Sequence, residues 1–445
     1  MRRTAASPFA LVCAAALLPL GAGPASAAAP PTSAPAMAVA APRAEDTRVS
    51  TSASGTGIST VAANTRISGV LPERARSKVL GTRFTMTVWD TATSTYVYQR
   101  RSRTSLRGAS TTKILTAVGV LANLGPDHRF PTTVKAGTTP DEVILVAGGD
   151  PLLSSADLRT LAQDTALALP GVIGTDQRIT VRADDSLFRG GGISRGWYSS
   201  WVPSEVRRVG AFARDDRKVS DATADAGAYF ARALRRLDVR ATYAGQSLAA
   251  PDAPTIATFA GHSVGEAVSR ALLISDNDTA EMLFRQVAVA RGIKASWPGA
   301  RKAMRATLSE LAIPLDRVRI VDGSGLSLRG RVTAPALTSA LNRALSPDHP
   351  QLNGLRGWLP VAGQTGTLQA PYLRFTSAPS RCAAGLIEAK TGTLADAISL
   401  AGYATGADGS TKIFVSIVNG RPTRYSRLTT RKAVDKAASS VTGCW

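Results

Sequence analysis

At 445 residues, with 44% hydrophobic content, the chain is long enough for two or more domains with a packed core, which excludes a disordered polyelectrolyte. Its formal charge is +21, falling to +19 if Arg2 and Arg3 leave with a cleaved leader, and such an excess of cations favours polyanionic surroundings. No zinc-finger spacing, RNA-binding aromatic signature or basic heptad region accompanies that charge, so the expected counter-surface is anionic cell-envelope polymer or lipid headgroup rather than nucleic acid.

The chain opens on "MRRTAASPFALVCAAALLPLGAGPASA", a basic start, a short apolar run and a small-x-small ending at Ala25-Ser26-Ala27. This is the pattern of a secretory signal peptide cleaved after Ala27. No stretch approaches the ~20 apolar residues of a membrane crossing, so the mature protein is expected to be exported and extracytoplasmic, soluble or peripherally associated. Residues 28–67 are rich in Ala, Pro, Ser and Thr and read as a flexible tether. Cys13 leaves with the signal; Cys382 and Cys444 remain, an even pair that suggests one disulfide in an oxidising compartment, the alternative being two buried thiols.

Beyond the tether, "RFTMTVWD" and "TYVYQR" alternate as two strands of a hairpin. "RGASTTKILTAVGVL" follows, where Ile114, Leu115, Val118 and Leu121 recur at helical spacing, so Ser110 and Lys113 share one face of its first turn. Residues 140–254 carry their own turns and strands, such as "GTDQRITVRADDSLF", and read as an insertion. Helical periodicity returns in "VGEAVSRALLI", "PGARKAMRATLSELAI" and "APALTSALNRAL". The chain then closes with three strands between Gly385 and Gly420 and a helical "RKAVDKAASSV".

Two segments satisfy Gly-x-Ser-x-Gly, around Ser194 and Ser263, and the second sits between a candidate strand and a helix as an α/β-hydrolase nucleophile would. That chemistry needs a histidine base. Only His349 follows Ser263, in a turn-like "SPDHPQ", and Ser263 with Glu266 forms a helix capping box, the better-supported reading. The three scattered histidines also give no metal-ligand cluster, so neither metal nor cofactor is expected. A serine enzyme without a histidine can use a lysine, provided the amine is neutral at working pH. Ser110 and Lys113 supply that pair.

Two further motifs follow in order: Ser275-Asp276-Asn277, and Lys390-Thr391-Gly392-Thr393 on the first closing strand. Ser-x-x-Lys, Ser-x-Asn and Lys-Thr-Gly in that order are the signature of penicillin-binding proteins and serine β-lactamases. From about Gly69 to its end the chain resembles the penicillin-binding protein 4, or DacB, type of D-alanyl-D-alanine carboxypeptidase. The resemblance also rests on "GGDPLL", "DDSLF", "SDNDTAEML", "VDGSGLS" and "LPVAGQTGTL". The last nearly repeats the active-site strand motif but has Gln364 where Lys390 stands, so a structural role is expected for it.

The resemblance implies an α/β (α+β) fold: a transpeptidase-like domain, residues 68–139 and 255–445, with an antiparallel sheet covered by helices, and a smaller domain inserted at 140–254. It implies a serine carboxypeptidase acting on peptidoglycan stem peptides through an acyl-enzyme, with D,D-endopeptidase action on the same bond as an added outcome and β-lactams as covalent inhibitors. Ser110 would attack, Lys113 would take its proton directly or through Ser275, and Asn277 would orient Lys113 and the substrate amide. Lys390 and Thr391 would hold the terminal carboxylate, and Gly392 would admit the close approach of backbone. The N–H groups of Ser110 and Thr393 would bind the oxyanion. Asp184, or its neighbour Asp185, would approach the free end of the peptide side chain unless it is an ordinary turn residue. A cation at Lys390 about 5 Å away would, at an effective dielectric of ~20, repel Lys113 by about 3 kcal/mol. That repulsion would lower the lysine by about two pH units from ~10.4, with burial lowering it further.

Competing readings are a serine β-lactamase, the Ser263 hydrolase and a silent peptidoglycan-binding protein. The insertion and the absence of a Glu-x-x-Leu-Asn segment argue against efficient antibiotic hydrolysis.

Overall fold

The computed structural model describes residues 58–445. The expected signal peptide, and the expected tether as far as residue 57, lie outside them. The first helix, α1 (Thr60–Ala75), is capped by the Ser59 side chain and buries Ala63, Ile67, Leu71 and Ala75, a stripe at four-residue spacing. Residues 60–67 are therefore folded rather than tether. Their alanine-rich composition hides a register that buries one face.

β1 (Arg83–Asp90) and β2 (Thr95–Arg100) form the expected hairpin, and α2 (Thr112–Leu124) follows. β3 (Thr132–Ala136) and β4 (Glu142–Val146) lead through α3 (Ser155–Ala168) to β5 (Arg178–Asp184), then α4 (Ala222–Arg235), β6 (Arg240–Gln246) and β7 (Thr255–Phe259). Helices α5 (Val264–Leu273), α6 (Asn277–Ala290), α7 (Trp297–Glu310) and α8 (Ala334–Arg343) precede β8 (Ile387–Thr393), β9 (Ala397–Thr405), β10 (Thr411–Asn419) and α9 (Arg427–Ser439).

One sheet has the order β2-β1-β10-β9-β8 and is antiparallel throughout, so the two ends of the described chain meet at its centre. Both faces are covered, and the side-chain period of two sorts β10 cleanly: Ile413, Val415 and Ile417 enter the core shared with α2, α5, α6, α7 and α8, whereas Phe414 and Val418 enter the core shared with α1 and α9. The second sheet has the order β6-β5-β4-β3-β7, with β4, β5 and β6 parallel. Parallel neighbours need crossovers, which α3 and α4 provide while packing Leu158, Leu161, Phe230 and Leu234 onto the sheet. This sheet runs from Thr132 to Phe259, wider on both sides than the expected 140–254. Among the described residues no helix is long and apolar enough to cross a membrane.

Cys382 and Cys444 are bonded, with Cα atoms 6.1 Å apart, tying the chain end to the segment before β8. A buried ion triad secures the same end of the first sheet. Lys412 Nζ lies 3.0 Å from Asp90 Oδ2 and 3.1 Å from Asp408 Oδ2, all three side chains being buried, and Asn64 of α1 donates to Asp90 (2.7 Å).

Removing one partner of such a group strands the others without a counter-charge, so Lys412→Met is expected to cost about 3–5 kcal/mol, read as a lower denaturation midpoint. Burial raises the Asp90 and Asp408 pKa values, but hydrogen bonds from Asn64 and Lys412 on the first, and from Lys412 on the second, outweigh it and hold both below the usual range. Their stabilisation is complete above the unfolded carboxylate value near ~4 and is lost as pH falls through the lower folded values. Acid-induced loss of stability should therefore be shallower in Lys412→Met than in wild type; an unchanged midpoint and acid profile would contradict this account.

Candidate active site

Ser110 stands in a single tight turn, Ala109–Thr111, that runs directly into α2. Ala109 has φ 46°, and its carbonyl lies so close to Gly325 that a Cβ there would sit 2.0 Å from the oxygen. One turn later Lys113 is 1% exposed, with Nζ 3.0 Å from Ser110 Oγ, 2.7 Å from Asn277 Oδ1 and 3.2 Å from Ser324 O. Two of these partners are carbonyl oxygens and can only accept. A neutral amine has two N–H groups for them and one lone pair left for the third partner, a hydroxyl that can donate. The contact set therefore suits a lysine base that receives the Ser110 proton directly.

Each partner of Lys113 is held in turn. Asn277 is the first residue of α6, and its Nδ2 donates to Glu205 O (2.9 Å), which orients Oδ1 toward the lysine. Ser324 belongs to the "VDGSGLS" loop, where the two oxygens of buried Glu281 accept the N–H groups of Gly323 and Ser324, each at 2.8 Å. Asp322, also buried, accepts from Trp197 Nε1 (2.7 Å) and from the N–H of Ser327 (2.6 Å). Burial pushes both acids upward, Glu281 to about 8 with Asp322 adding to the push.

Burial brings Lys113 down to about 8 against the pull of Glu281, Asp276, Asp322 and Asp278. The expectation that repulsion from Lys390 is the chief cause is thus corrected: desolvation is. Lys390 is itself completely buried, its Nζ donates to the carbonyl of Thr391 (3.0 Å), and burial followed by the Lys113 charge takes it well below the usual lysine value. It is not among the residues that line the cleft.

Ser110, Ser275, Asn277, Thr391 and Thr393 do line one cleft of about 240 Å³. Strand β8 is the edge of its sheet. Pro360 and Ala362 cover that edge as far as Ala389, and beyond this Thr391 and Thr393 border the cleft. Gly392 permits the approach: a Cβ there would lie 2.1 Å from Ser399 Oγ, 2.8 Å from Gly108 O and 3.1 Å from Ser110 N, while Ser399 Oγ ties the two segments together by donating to Gly108 O (2.6 Å).

Some expectations are revised. The "LPVAGQTGTL" segment brings Thr367 to the cleft, its hydroxyl 2.7 Å from Thr391 Oγ1, so it is more than scaffold; the Thr-Gly-Thr shared by residues 365–367 and 391–393 is the signal in the sequence. Tyr372, Arg374 and Arg431 also line the cleft, Arg374 in a two-pronged pair with Asp435 (2.7 and 2.5 Å). Asp184 is not among the lining residues. Its oxygens accept the N–H groups of Ser186 (2.8 Å) and Ala249 (2.9 Å), and Asp185 accepts from Thr223 Oγ1 (2.7 Å), so both serve the inserted sheet. Ser263 caps α5 through the reciprocal bond with Glu266, and its neighbour His262 is paired with Asp150 (2.9 Å).

A family model described as the D-Ala-D-Ala carboxypeptidase 3 (S13) family matches residues 70–207 and 208–441. The chain is 32% identical over 354 residues to a carboxypeptidase of Mycobacterium tuberculosis, covering 75% of each chain. It is 31% identical over 382 residues to carboxypeptidase DacB of Mycolicibacterium smegmatis, covering 80% of each. Among solved structures, penicillin binding protein 4 (dacB) of Haemophilus influenzae shares the fold, with a TM-score of 0.67 at 20% identity over 82% of this chain and 99% of that one. The same protein complexed with a β-lactam gives a TM-score of 0.64.

Gly392→Ala should force β8 away from Ser110 and slow covalent labelling by a fluorescent penicillin at least ~100-fold, since misplacements near 1 Å cost about that much. Labelling at the wild-type rate would contradict the need for this close approach.

Proposed function

The chain belongs to the D-Ala-D-Ala carboxypeptidase 3 (S13) family, and from that premise we propose that it is exported and trims the terminal D-alanine of peptidoglycan stem peptides through an ester on Ser110. It is a serine D-Ala-D-Ala carboxypeptidase and a penicillin-binding protein. The observation that carries the finer reading is the set of three contacts made by Lys113.

In the forward step Ser110 gives its proton to Lys113 as Oγ attacks the carbonyl of the penultimate D-alanine. General-base help of this kind is worth about 10²–10⁴-fold. The N–H groups of Ser110 and Thr393 receive the developing oxyanion, each such donor contributing about 3 kcal/mol. When the C–N bond breaks, the lysine returns the proton to the leaving amine, directly or by way of Ser275, and free D-alanine departs. Water then attacks the ester with Lys113 as base, releasing the shortened peptide and restoring Ser110.

The stem lies along the open edge of β8 as an added strand. Its carboxylate meets the hydroxyls of Thr391, Thr393 and Thr367, while the buried Lys390 acts by its field. A bound carboxylate raises the Lys390 pKa, and the charge so gained pushes the Lys113 proton off. A β-lactam follows the same first step but leaves no departing amine, so the ester persists. The same scission applied to a cross-linked dimer is D,D-endopeptidase action. The Cys382–Cys444 bond suits an oxidising compartment, and the surplus of cations suits an anionic wall.

Two measurements test this. Purified protein should release D-alanine from a pentapeptide muropeptide and carry fluorescent penicillin through a denaturing gel, and Ser110→Ala should do neither; label retained in Ser110→Ala would refute the assignment. Because the base must be neutral and Lys113 lies at about 8, the acylation rate constant should fall about tenfold per pH unit below 8 and level off above it. A flat profile between pH 5 and 9 would exclude Lys113 as the base.

A further inference from the structure

In the segment Ser275-Asp276-Asn277-Asp278, Ser275 and Asn277 line the cleft, whereas Asp276 and Asp278 turn to basic partners. Asp276 Oδ2 lies 2.7 Å from Arg270 Nε, and Arg270 Nη2 lies 2.9 Å from Asp216 Oδ2. Asp216 Oδ1 lies 3.8 Å from Lys218 Nζ, and Lys218 pairs with Asp278 Oδ2. The five side chains thus form a chain of alternating charge that begins and ends on the segment carrying Ser275 and Asn277. Ligand atoms of the three carboxylates come within 4.8 Å of one another, and Arg270 and Lys218 supply the countercharge between them.

We propose that Lys218 and Asp216, contributed by the chain between β5 and α4, are positioning residues that close this ring and thereby fix the aim of Ser275 and Asn277 during acylation. Ser275 has φ 64°, a conformation that a residue with a side chain holds only when its surroundings over-determine it. The ring supplies that constraint from one side. From the other, Glu205 O accepts from Asn277 Nδ2 (2.9 Å), and the Arg207 N–H donates to Asp278 Oδ1 (2.6 Å). Residues 205–218 therefore grip the motif directly at the Asp278 carboxylate and the Asn277 amide, and reach Asp276 through Arg270. Asp278 is 2% exposed and keeps Arg207 beside it (3.6 Å) when Lys218 is removed, so substituting Lys218 loosens the ring without stranding a lone buried charge.

This inference rests on the acyl-Ser110 reading, and its test separates the two. Lys218→Met should lower kcat for pentapeptide and the penicillin acylation rate about ten- to a hundredfold with KM little changed, as expected when the reacting geometry is loosened and substrate binding stays intact. Lys218→Arg should restore most of the rate. The double variant Lys218→Met/Asp278→Asn should be no slower than the worse single variant, the coupling expected of direct partners. Wild-type kcat in Lys218→Met, or a deficit that matches the unfolded fraction and is not restored by arginine, would overturn the proposal. Ser110→Ala, run alongside, should take no label; label there would overturn the acyl-Ser110 reading whatever Lys218 does.

Discussion

An amine removed from water resists carrying a proton, and the site is built around that constraint acting on Lys113. Left exposed, the lysine would stay charged to ~10.4 and have no lone pair to offer. Buried with no compensation, it would titrate so low that it would be a poor acceptor for a serine proton. Four carboxylates, Glu281, Asp276, Asp322 and Asp278, oppose the burial and leave it at about 8. At neutral pH roughly a tenth of the molecules then hold the free amine, and it remains basic enough to be useful. Glu281 and Asp322 also fasten the loop whose Ser324 carbonyl accepts from the lysine, so the same acids set both its pKa and its geometry.

Four separate pieces of chain must converge for this to work: the start of α2, the start of α6, the 321–327 loop and strand β8. The antiparallel sheet makes that possible by pairing β1 with β10 across more than three hundred residues, which brings the end of the chain beside the turn that carries Ser110. Convergence is limited by side-chain bulk, and close approaches are left to glycines, such as Gly325 against Ala109 and Gly392 against Ser110 and Gly108. The inserted region adds a fifth piece. Its residues 205–218 reach the first turn of α6, so the insertion takes part in shaping the cleft.

Much of this is legible from spacing. Four apolar positions are enough to put Ser110 and Lys113 on one helical face, and the order of the three motifs is enough to point to the family. What is not legible depends on distance or burial. Charge alone attributes the lowered Lys113 pKa to Lys390, because sequence does not show that both amines are buried. Asp184 reads as a ligand contact, and spacing does not show that the N–H of Ala249, sixty-five positions away, is one of its partners. Thr367 is masked by Gln364, whose place in the motif of Lys390 suggests a purely structural segment, although the Thr-Gly-Thr that follows is intact. Helix α1 is hidden by its composition. The parallel order of the inserted sheet depends on the crossover helices α3 and α4 and on which distant strands they bring together, and spacing along the chain does not show that pairing.

Burial makes the Lys113 ammonium a stronger acid than that of a solvated lysine, so that it gives up its proton at about pH 8. The direct measurement is a titration of its side chain by NMR, following the Cε resonance of isotopically labelled lysine and assigning it by its disappearance in Lys113→Arg. A transition centred about pH 8 in the unliganded protein is the expected result. A transition above pH 10, the value of a solvated lysine, would contradict it.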